Sequence, residues 1–302
     1  MSIVVNKLLK LYGTQKAVDD ISFSVNPGEI VGFLGPNGAG KSTTMKMITG
    51  YLKPDAGTAM VCGISVADNP IAVKKKIGYL PEANPLYFDM YVKEYLGFIA
   101  GIHGLGDGKS KIGEVIELTG LTIESRKKIG QLSKGYKQRV GLAAALIHDP
   151  EVIILDEPTS GLDPNQIIEI RNVIRLQGKN KTVLFSSHIL QEVEAICDRV
   201  IIINRGKMVA NDTLANLQQQ GNRNIVKVTF KEVIDAALLQ SLRGIDGLTM
   251  LDDYTWQLAT KNANEVKRQL FELSLQRNLN IVSLVNEGGS LEEIFRSLTM
   301  AK

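Results

Sequence analysis

Residues 35–42 read Gly-Pro-Asn-Gly-Ala-Gly-Lys-Ser and match the pattern G-x-x-x-x-G-K-S/T in full. An apolar run at 30–33 precedes them, and 41–51 has the pattern of a helix that Gly50 and Pro54 end. Glycines let successive backbone N–H groups turn toward phosphate oxygens, and the positive end of the helix dipole points at the same anions. The stretch therefore predicts a phosphate-binding loop between a strand and a helix.

A pair of carboxylates follows a second apolar run at 152–155. The carboxyl ends of parallel strands are the ligand-binding edge of an open α/β sheet. We predict that Asp156 helps to hold Mg²⁺, and that Glu157, which points elsewhere, orients or deprotonates an attacking water. In the loop, Lys41 is expected to reach the β- and γ-phosphates, and the Ser42 hydroxyl is expected to ligate Mg²⁺.

Strands and helices alternate up to about residue 203. Strands are predicted at 3–5, 21–25, 30–33, 152–155, 182–185 and 200–203, and residues 74–80 lead into a further strand that ends at Leu80. Helices are predicted at 165–176 and 189–197. This alternation predicts a parallel sheet covered by helices on both faces. From about 91 to 147 the pattern is helical, which predicts a helical subdomain inserted in the α/β core.

A stretch rich in Gln, Gly and Asn at 217–224 is interpreted as a linker. We predict one domain at 1–217 and a smaller α+β domain at 222–302. The smaller domain is expected to hold strands at 225–230, 247–251, 254–260 and 280–285 and helices at 234–242, 263–277 and 290–299. The order β-α-β-β-α-β is the ferredoxin-like pattern. No catalytic group is predicted there, so we interpret this domain as a dimerisation or regulatory module.

The composition is that of an ordinary globular protein, with 44% hydrophobic and 22% charged residues. A net charge of +3 is too balanced to indicate nucleic acid as a partner. The two cysteines, Cys62 and Cys197, lie far apart and fit a reduced, cytoplasmic compartment better than a disulfide scaffold. No apolar run approaches the roughly 18 residues of a membrane helix, so a role at a membrane would require another chain.

Residues 132–136, Leu-Ser-Lys-Gly-Tyr, resemble the signature motif of ABC proteins and precede Asp156 as that motif does in the family. The family's other motifs are present in the expected order along the chain. Tyr12 resembles the adenine-stacking aromatic, Glu82 occupies the Q-loop position, 160–163 resemble the D-loop, and His188 occupies the switch-histidine position. The resemblance covers residues 1 to about 217. It implies a P-loop ABC ATPase domain with an antiparallel β subdomain and a helical subdomain at about 88–147.

This resemblance implies that the chain hydrolyses ATP to ADP and phosphate with Mg²⁺. It implies nucleotide contacts from Tyr12, Gly35, Pro36, Asn37, Gly38, Ala39, Gly40, Lys41, Ser42, Thr43, Ser133, Gly135 and Asp163, metal ligands in Ser42, Glu82 and Asp156, and catalytic roles for Glu157, His188 and Lys41. It also implies a head-to-tail homodimer, in which the signature of one subunit completes the ATP site of the other.

Two residues depart from the family's pattern. Tyr136 replaces the glutamine that usually ends the signature, but Ser133 and Gly135, the family's γ-phosphate contacts, remain. Glu82 replaces the Q-loop glutamine. A carboxylate still coordinates Mg²⁺, although it would repel phosphate at close range.

The finer resemblance is to ATP-binding subunits of exporter-type (ABC-2) systems, and in particular to the gliding-motility-associated subunit. Stretches that carry it are 79–87, 90–96, Asn165-Gln166 and 290–295. It implies a separate transmembrane permease and a peripheral position on the inner face of the cytoplasmic membrane. The permease is expected to dock near residues 83–96, although the aromatic residues there also fit ordinary helix packing.

Two alternative functions remain open from the sequence. The first is an ABC ATPase with a non-transport role, as in translation or DNA repair. Translation-type members usually carry two cassettes and repair-type members carry long coiled coils, whereas this chain has one cassette and no sustained heptads. The second is a pure binding module, which the presence of Glu157 and His188 disfavours.

Overall fold

The computed structural model describes residues 1–220, 224–287 and 291–300. The chain divides into two compact units, residues 1–213 and 214–302. The strands of the first unit are β1 (Ile3–Tyr12), β2 (Gln15–Val25), β3 (Ile30–Leu34), β4 (Ala56–Val61), β5 (Ile64–Ser65), β6 (Ile77–Leu80), β7 (Val152–Asp156), β8 (Thr182–Ser187), β9 (Arg199–Asn204) and β10 (Lys207–Thr213). Its helices are α1 (Lys41–Ile48), α2 (Pro70–Lys76), α3 (Val92–Ile102), α4 (Gly108–Leu118), α5 (Lys134–Leu146), α6 (Pro164–Gly178) and α7 (Leu190–Ile196).

The central sheet of the first unit has the strand order β10-β9-β3-β8-β7-β6. Its strands pair in parallel, except that β10 runs antiparallel to β9 at one edge. Strands β3, β7 and β8 are buried along their whole length, which explains their nearly continuous apolar sequence. The predicted parallel sheet is confirmed, and the loops after β3, β7 and β8 leave it at one edge.

A second, antiparallel sheet has the order β2-β1-β4-β5. Its buried residues, among them Ile3 and Val61, share one apolar core with Val31 and Phe33 of the central sheet. This is the antiparallel β subdomain that the family resemblance implied. Strands β4 and β5 were not predicted individually, because half of the residues of β4 are Ala or Gly, which are depleted in strands, and β5 is only two residues long.

One local prediction is confirmed at its boundary and another was wrong. The strand that was predicted to end at Leu80 is β6, which begins at Ile77, and residues 74–76 before it end helix α2. The Asn69 side chain caps α2 by accepting a hydrogen bond from Ala72 N at 3.3 Å, and Pro70 opens the helix. The helix predicted at 41–51 ends at Ile48, and Gly50 follows in the left-handed region with φ 69°.

The helical insertion predicted at about 88–147 contains α3, α4 and α5, which pack against one another. Helix α5 also packs against the edge strand β6, which joins the insertion to the central sheet. The insertion is therefore not an independent body, and its position relative to the sheet is fixed by α5.

The second unit contains α8 (Leu214–Gln220), β11 (Asn224–Phe230), α9 (Ala236–Gln240), β12 (Ile245–Asp252), β13 (Thr255–Thr260), α10 (Ala263–Arg277), β14 (Ile281–Glu287) and α11 (Leu291–Met300). Its antiparallel sheet has the order β12-β13-β11-β14, over a core that includes Phe230 and Trp256. Of the predicted linker at 217–224, residues 217–220 lie in α8, since glutamine favours helix, and 221–223 lie outside the described residues. Residue 290, predicted to open the last helix, also lies outside them.

Candidate active site

The phosphate-binding loop connects β3 to α1 and requires glycine at residue 40. Gly40 has φ 107°, and a Cβ atom there would lie 2.3 Å from the carbonyl oxygen of Ala17. Gly38 also has a positive φ of 78°, but it faces open space. Any side chain at residue 40 would therefore clash with backbone, whereas residue 38 requires glycine mainly for its conformation.

The Lys41 side chain is buried inside this loop. Its Nζ atom donates hydrogen bonds to the carbonyl oxygens of Gly35 at 2.7 Å and Pro36 at 3.3 Å. The same atom lies 3.2 Å from Glu157 Oε1. The Lys41 ammonium is thus held at the N-terminus of α1. The helix dipole, the loop N–H groups and this ammonium all favour the binding of an anion there.

Asp156 ends β7 and is 1% exposed. Its Oδ1 atom accepts hydrogen bonds from Ser42 Oγ at 3.0 Å and Ser186 Oγ at 2.7 Å, while Oδ2 is buried without a hydrogen-bond partner. Burial raises the pKa of Asp156, against the opposing effect of the two hydroxyl donors. A buried carboxylate oxygen without a partner, next to a serine hydroxyl, suits a hard divalent cation such as Mg²⁺.

Glu157 begins the loop after β7 in the left-handed region, with φ 50°. This conformation costs about 1–3 kcal/mol for a residue other than glycine. Its backbone N–H donates to Ser186 Oγ at 2.9 Å, and its Oε2 atom lies 2.7 Å from His188 Nδ1. The side chain therefore lies between the Lys41 ammonium and the His188 imidazole, so the three residues predicted to be catalytic are in contact.

A cavity of about 400 Å³ opens at the loop. It is lined by Tyr12, Gln15, Ala17, Pro36, Asn37, Gly38, Gly40, Lys41, Ser42, Thr43, Glu82 and Glu157. Tyr12 is 53% exposed and lines the cavity, so its ring is accessible to a ligand. Glu82 also lines a second, larger cavity of about 660 Å³ between β6 and helices α3 and α5.

Some predicted site residues do not line this cavity. Gly35 and Ala39 support the loop, where a Cβ atom at residue 35 would lie 2.5 Å from the carbonyl oxygen of Ile203. The Ser133 side chain caps α5 by accepting a hydrogen bond from Tyr136 N at 3.4 Å. In the same way, the Asp163 side chain caps α6 by accepting a hydrogen bond from Gln166 N at 3.0 Å. Gly135 lies in the first turn of α5, beside the Gln166 side chain.

The unusual residue of the signature motif does not obstruct its helix. The guanidinium carbon of Arg139 lies 5.2 Å from the centre of the Tyr136 ring, within the range of a cation–π contact. Tyr136 is thus held against its own helix, and its ring does not replace the cap in which Ser133 Oγ accepts a hydrogen bond from Tyr136 N.

Sequence reasoning missed several residues of the site. Gln15 and Ala17 line the cavity beside Tyr12, and Ser186 binds both Asp156 and the backbone of Glu157. Ser186 could have been found, because it lies near the carboxyl end of a buried strand, where such sheets bind ligands. Nothing in the sequence around Gln15 indicates a role in ligand binding.

The fold and this site define the class of P-loop ATPases: a parallel sheet, a phosphate-binding loop before α1, and acidic residues after a neighbouring strand. The family model described as ABC transporter matches residues 18–160. The chain is 36% identical to the linearmycin resistance ATP-binding protein LnrL of Bacillus subtilis, over 96% of both chains. It is also 36% identical to the bacitracin transport ATP-binding protein BcrA of Bacillus licheniformis, over 96% of this chain and 95% of that one.

Among solved structures, an ATP-binding subunit of an ABC transporter superposes with a TM-score of 0.67 at 32% identity. The match covers 73% of this chain and 93% of that one. The protein belongs to the ATP-binding subunits of ABC transporters, and it binds and hydrolyses ATP. Within the described ranges, we find no helix long and apolar enough to span a membrane.

Proposed function

We propose that this subunit hydrolyses Mg²⁺–ATP at Lys41, Ser42, Asp156, Glu157 and His188 to power an exporter-type (ABC-2) membrane partner. The observation that carries the proposed site is the position of Glu157. Its carboxylate lies 3.2 Å from the lysine of the phosphate-binding loop and 2.7 Å from His188 Nδ1. These distances support Glu157 as the base, with Lys41 as the proposed phosphate-binding cation on one side and the His188 imidazole on the other.

Each residue then has one part in the reaction. The loop amides and Lys41 bind the phosphates, and Ser42, Asp156 and Glu82 would hold the metal, which neutralises charge on the phosphate oxygens. Glu157 orients the attacking water and accepts its proton, while His188 contacts the γ-phosphate. Catalysis consists mostly of positioning and charge neutralisation, because phosphoryl transfer passes through a loose transition state.

The second partner is another copy of the chain. Ser133, Gly135 and Asp163 lie outside the cavity that Lys41 lines, yet they carry the signature and D-loop motifs. A head-to-tail dimer would bring the signature helix of one copy to the phosphates held by the other. The open N-terminus of α5 then offers N–H groups to the γ-phosphate.

The membrane partner is proposed to dock at the larger cavity and the adjoining segment 83–96. This cavity is lined mainly by apolar groups from β6, α3 and α5, among them Ile99, Ile102 and Ala144. Tyr87 and Phe88, each 55% exposed, add an aromatic surface beside it. Docking there places the subunit at the inner face of the cytoplasmic membrane. Glu82 lines both this larger cavity and the nucleotide cavity, so it would lie between the docked partner and the nucleotide.

The names of relatives support export as the direction of transport, because one refers to linearmycin resistance and another to Nod factor export. The link to gliding motility rests on the resemblance of residues 79–87 and 90–96 and stays a prediction. A non-transport role remains the alternative outcome of the docking test.

The test isolates the tagged chain from detergent-solubilised membranes. Ile102 lines the larger cavity and is 65% exposed, whereas Leu176 of α6 is 49% exposed and lies away from it. We expect a multi-spanning membrane protein to co-purify with the wild type and Leu176→Glu, but not with Ile102→Glu. Recovery of no membrane protein, with unchanged ATPase activity, would favour the non-transport alternative.

A further inference from the structure

A buried carboxylate that the sequence did not single out lies behind the catalytic pair. Glu192 of α7 is 1% exposed. Its Oε2 atom accepts two hydrogen bonds, from Thr159 Oγ1 at 2.7 Å and from Ser187 Oγ at 2.8 Å. Its Oε1 atom is buried and has no hydrogen-bond partner. Burial of a carboxylate oxygen without a hydrogen-bond partner is costly, so the two bonds that Glu192 does make must contribute to holding it there.

The first of these bonds holds the loop of Glu157. Thr159 lies two residues after Glu157, in a turn where Ser160 N donates to the Glu157 carbonyl at 3.1 Å and Leu162 N donates to the Thr159 carbonyl at 3.2 Å. Glu157 itself is in the left-handed region. A strained backbone keeps its conformation only where its surroundings fix it, and the bond from Thr159 to Glu192 is one such restraint.

The second bond holds the loop of His188. Ser187 Oγ accepts a hydrogen bond from Ile189 N at 2.9 Å, so that the residues on either side of His188 are tied together. Because the Ser187 hydroxyl donates its proton to Glu192, its lone pairs remain directed to that N–H group. The His188 side chain is itself 41% exposed, so the backbone on either side of it helps to fix its position, together with the contact between Nδ1 and Glu157 Oε2.

We propose that Glu192 is a positioning residue for hydrolysis. It bridges the loops after β7 and β8 and so sets the distance between the Glu157 carboxylate and the His188 imidazole. This inference rests on the roles proposed above for those two residues. A displacement of about 1 Å in such a pair can reduce turnover about a hundredfold.

The test compares Glu192→Ala with Glu192→Gln. Glutamine keeps a carbonyl oxygen that can accept both hydroxyl protons, whereas alanine removes both bonds. We expect alanine to lower kcat about tenfold or more, and glutamine to retain activity within about threefold of the wild type. KM and the Kd for ATP should change less than about twofold, because Glu192 lines neither the loop nor the nucleotide cavity.

Two further variants keep the test informative if Glu192→Ala fails to fold. Thr159→Val removes one of the two bonds and should lower kcat by less than Glu192→Ala does, while leaving ATP affinity unchanged. Ser187→Ala removes the other bond together with the one from Ile189 N, and it should also lower kcat without changing ATP affinity. An unchanged kcat in these variants would overturn the inference. So would a glutamine variant as impaired as the alanine variant, or a loss of kcat matched by an equal loss of ATP affinity.

Glu157→Gln is measured in the same series. Wild-type turnover in Glu157→Gln would refute the proposed site, whatever Glu192 does. An inactive Glu157→Gln together with a fully active Glu192→Ala would refute only the positioning role.

Discussion

Glu157 combines three features in one residue. It is buried, it has a positive φ, and it lies within contact distance of both Lys41 and His188. The hydrogen bond from its backbone N–H to Ser186 Oγ anchors it to β8 rather than to its own strand. The position of this carboxylate therefore depends on the neighbouring strand as much as on β7.

Replacing Glu157 with glutamine should separate ATP binding from hydrolysis. The amide keeps the shape of the side chain but is a far weaker base, so we expect turnover to fall by about a hundredfold or more. ATP affinity should persist, and the nucleotide-bound dimer should last longer. Phosphate release and nucleotide binding measure the two effects, and full turnover would refute the role of Glu157.

Glu82 is the second residue whose chemistry can be tested alone. It lines the nucleotide cavity where the family has glutamine. An amide oxygen and a carboxylate oxygen both ligate Mg²⁺, so Glu82→Gln is expected to keep kcat within about threefold. Steady-state ATPase rates across a Mg²⁺ titration provide the measurement. A collapse of the rate at saturating Mg²⁺ would show that the carboxylate has a separate role.

At the scale of elements, the phosphate-binding loop depends on the close approach of Ala17 in β2. Gly40→Ala would force a Cβ atom against the Ala17 carbonyl at a positive φ. We expect a loss of about 2–4 kcal/mol in the free energy of unfolding, together with loss of ATP binding. Gly63 is the matched control, because it has φ 76° and open space around it.

Gly63→Ala should therefore cost only about 1 kcal/mol and leave ATP binding intact. Denaturant unfolding and nucleotide binding of the two variants give the comparison. Equal losses of stability in both variants would show that the contact with Ala17 is not what requires glycine at residue 40.

Helix α3 and the residues after α5 meet through a pair of histidines. The rings of His103 and His148 stack with their centroids 3.8 Å apart, and His148 Nε2 lies 3.0 Å from the Ile77 carbonyl oxygen. Burial is the main cause that lowers the pKa of His148 to about 4. Burial also lowers the pKa of His103. Both rings are therefore neutral at pH 7.

This pair makes stability depend on pH. The unfolded chain protonates His148 near pH 6.5, before the folded protein does, so stability is full above that pH and falls as the pH drops toward about 4. After a discount for partial exposure, the loss is about 1–2 kcal/mol. His148→Gln keeps a donor for the Ile77 carbonyl but does not titrate.

The measurement is urea unfolding of the wild type and His148→Gln at pH 7.5 and 4.5. The loss of stability between the two pH values should be smaller in the variant by about 1–2 kcal/mol. The difference between the proteins isolates His148 from the other titrating groups. Identical pH dependence in both would contradict the assignment.

At the scale of the whole molecule, the signature residues Ser133 and Gly135 do not line the nucleotide cavity of their own chain. This predicts a head-to-tail dimer. In a Glu157→Gln background, Ser133→Arg should abolish the ATP-dependent dimer, because it places bulk and charge at the N-terminus of α5. Monomers should still bind ATP, since Ser133 does not line that cavity. Size-exclusion chromatography with and without Mg²⁺–ATP measures the outcome.

Ser110→Arg is the control, because Ser110 is an exposed serine in the first turn of another helix, α4. This variant should dimerise like the parent. A dimer that survives Ser133→Arg would argue against head-to-tail assembly through the signature.

The sequence by itself determined the elements whose information is local. The glycine pattern at 35–42, the apolar run that ends in Asp156 and Glu157, and the alternation of strands and helices were sufficient for the parallel sheet and its phosphate-binding loop. These features are short-range, because a turn, a buried strand and a helix start each depend on residues a few positions apart.

Only the tertiary structure decided the contacts between distant segments. Nothing near Gln15 in the sequence indicates that it reaches the site, and the two hydrogen bonds of Glu192 join residues from separate strand ends. The same holds for Gly40, whose need for glycine comes partly from the carbonyl of Ala17 across the fold. Hydrogen-bond partners and steric limits are set by proximity in space, which the chain acquires only when β2, β7 and β8 are packed together.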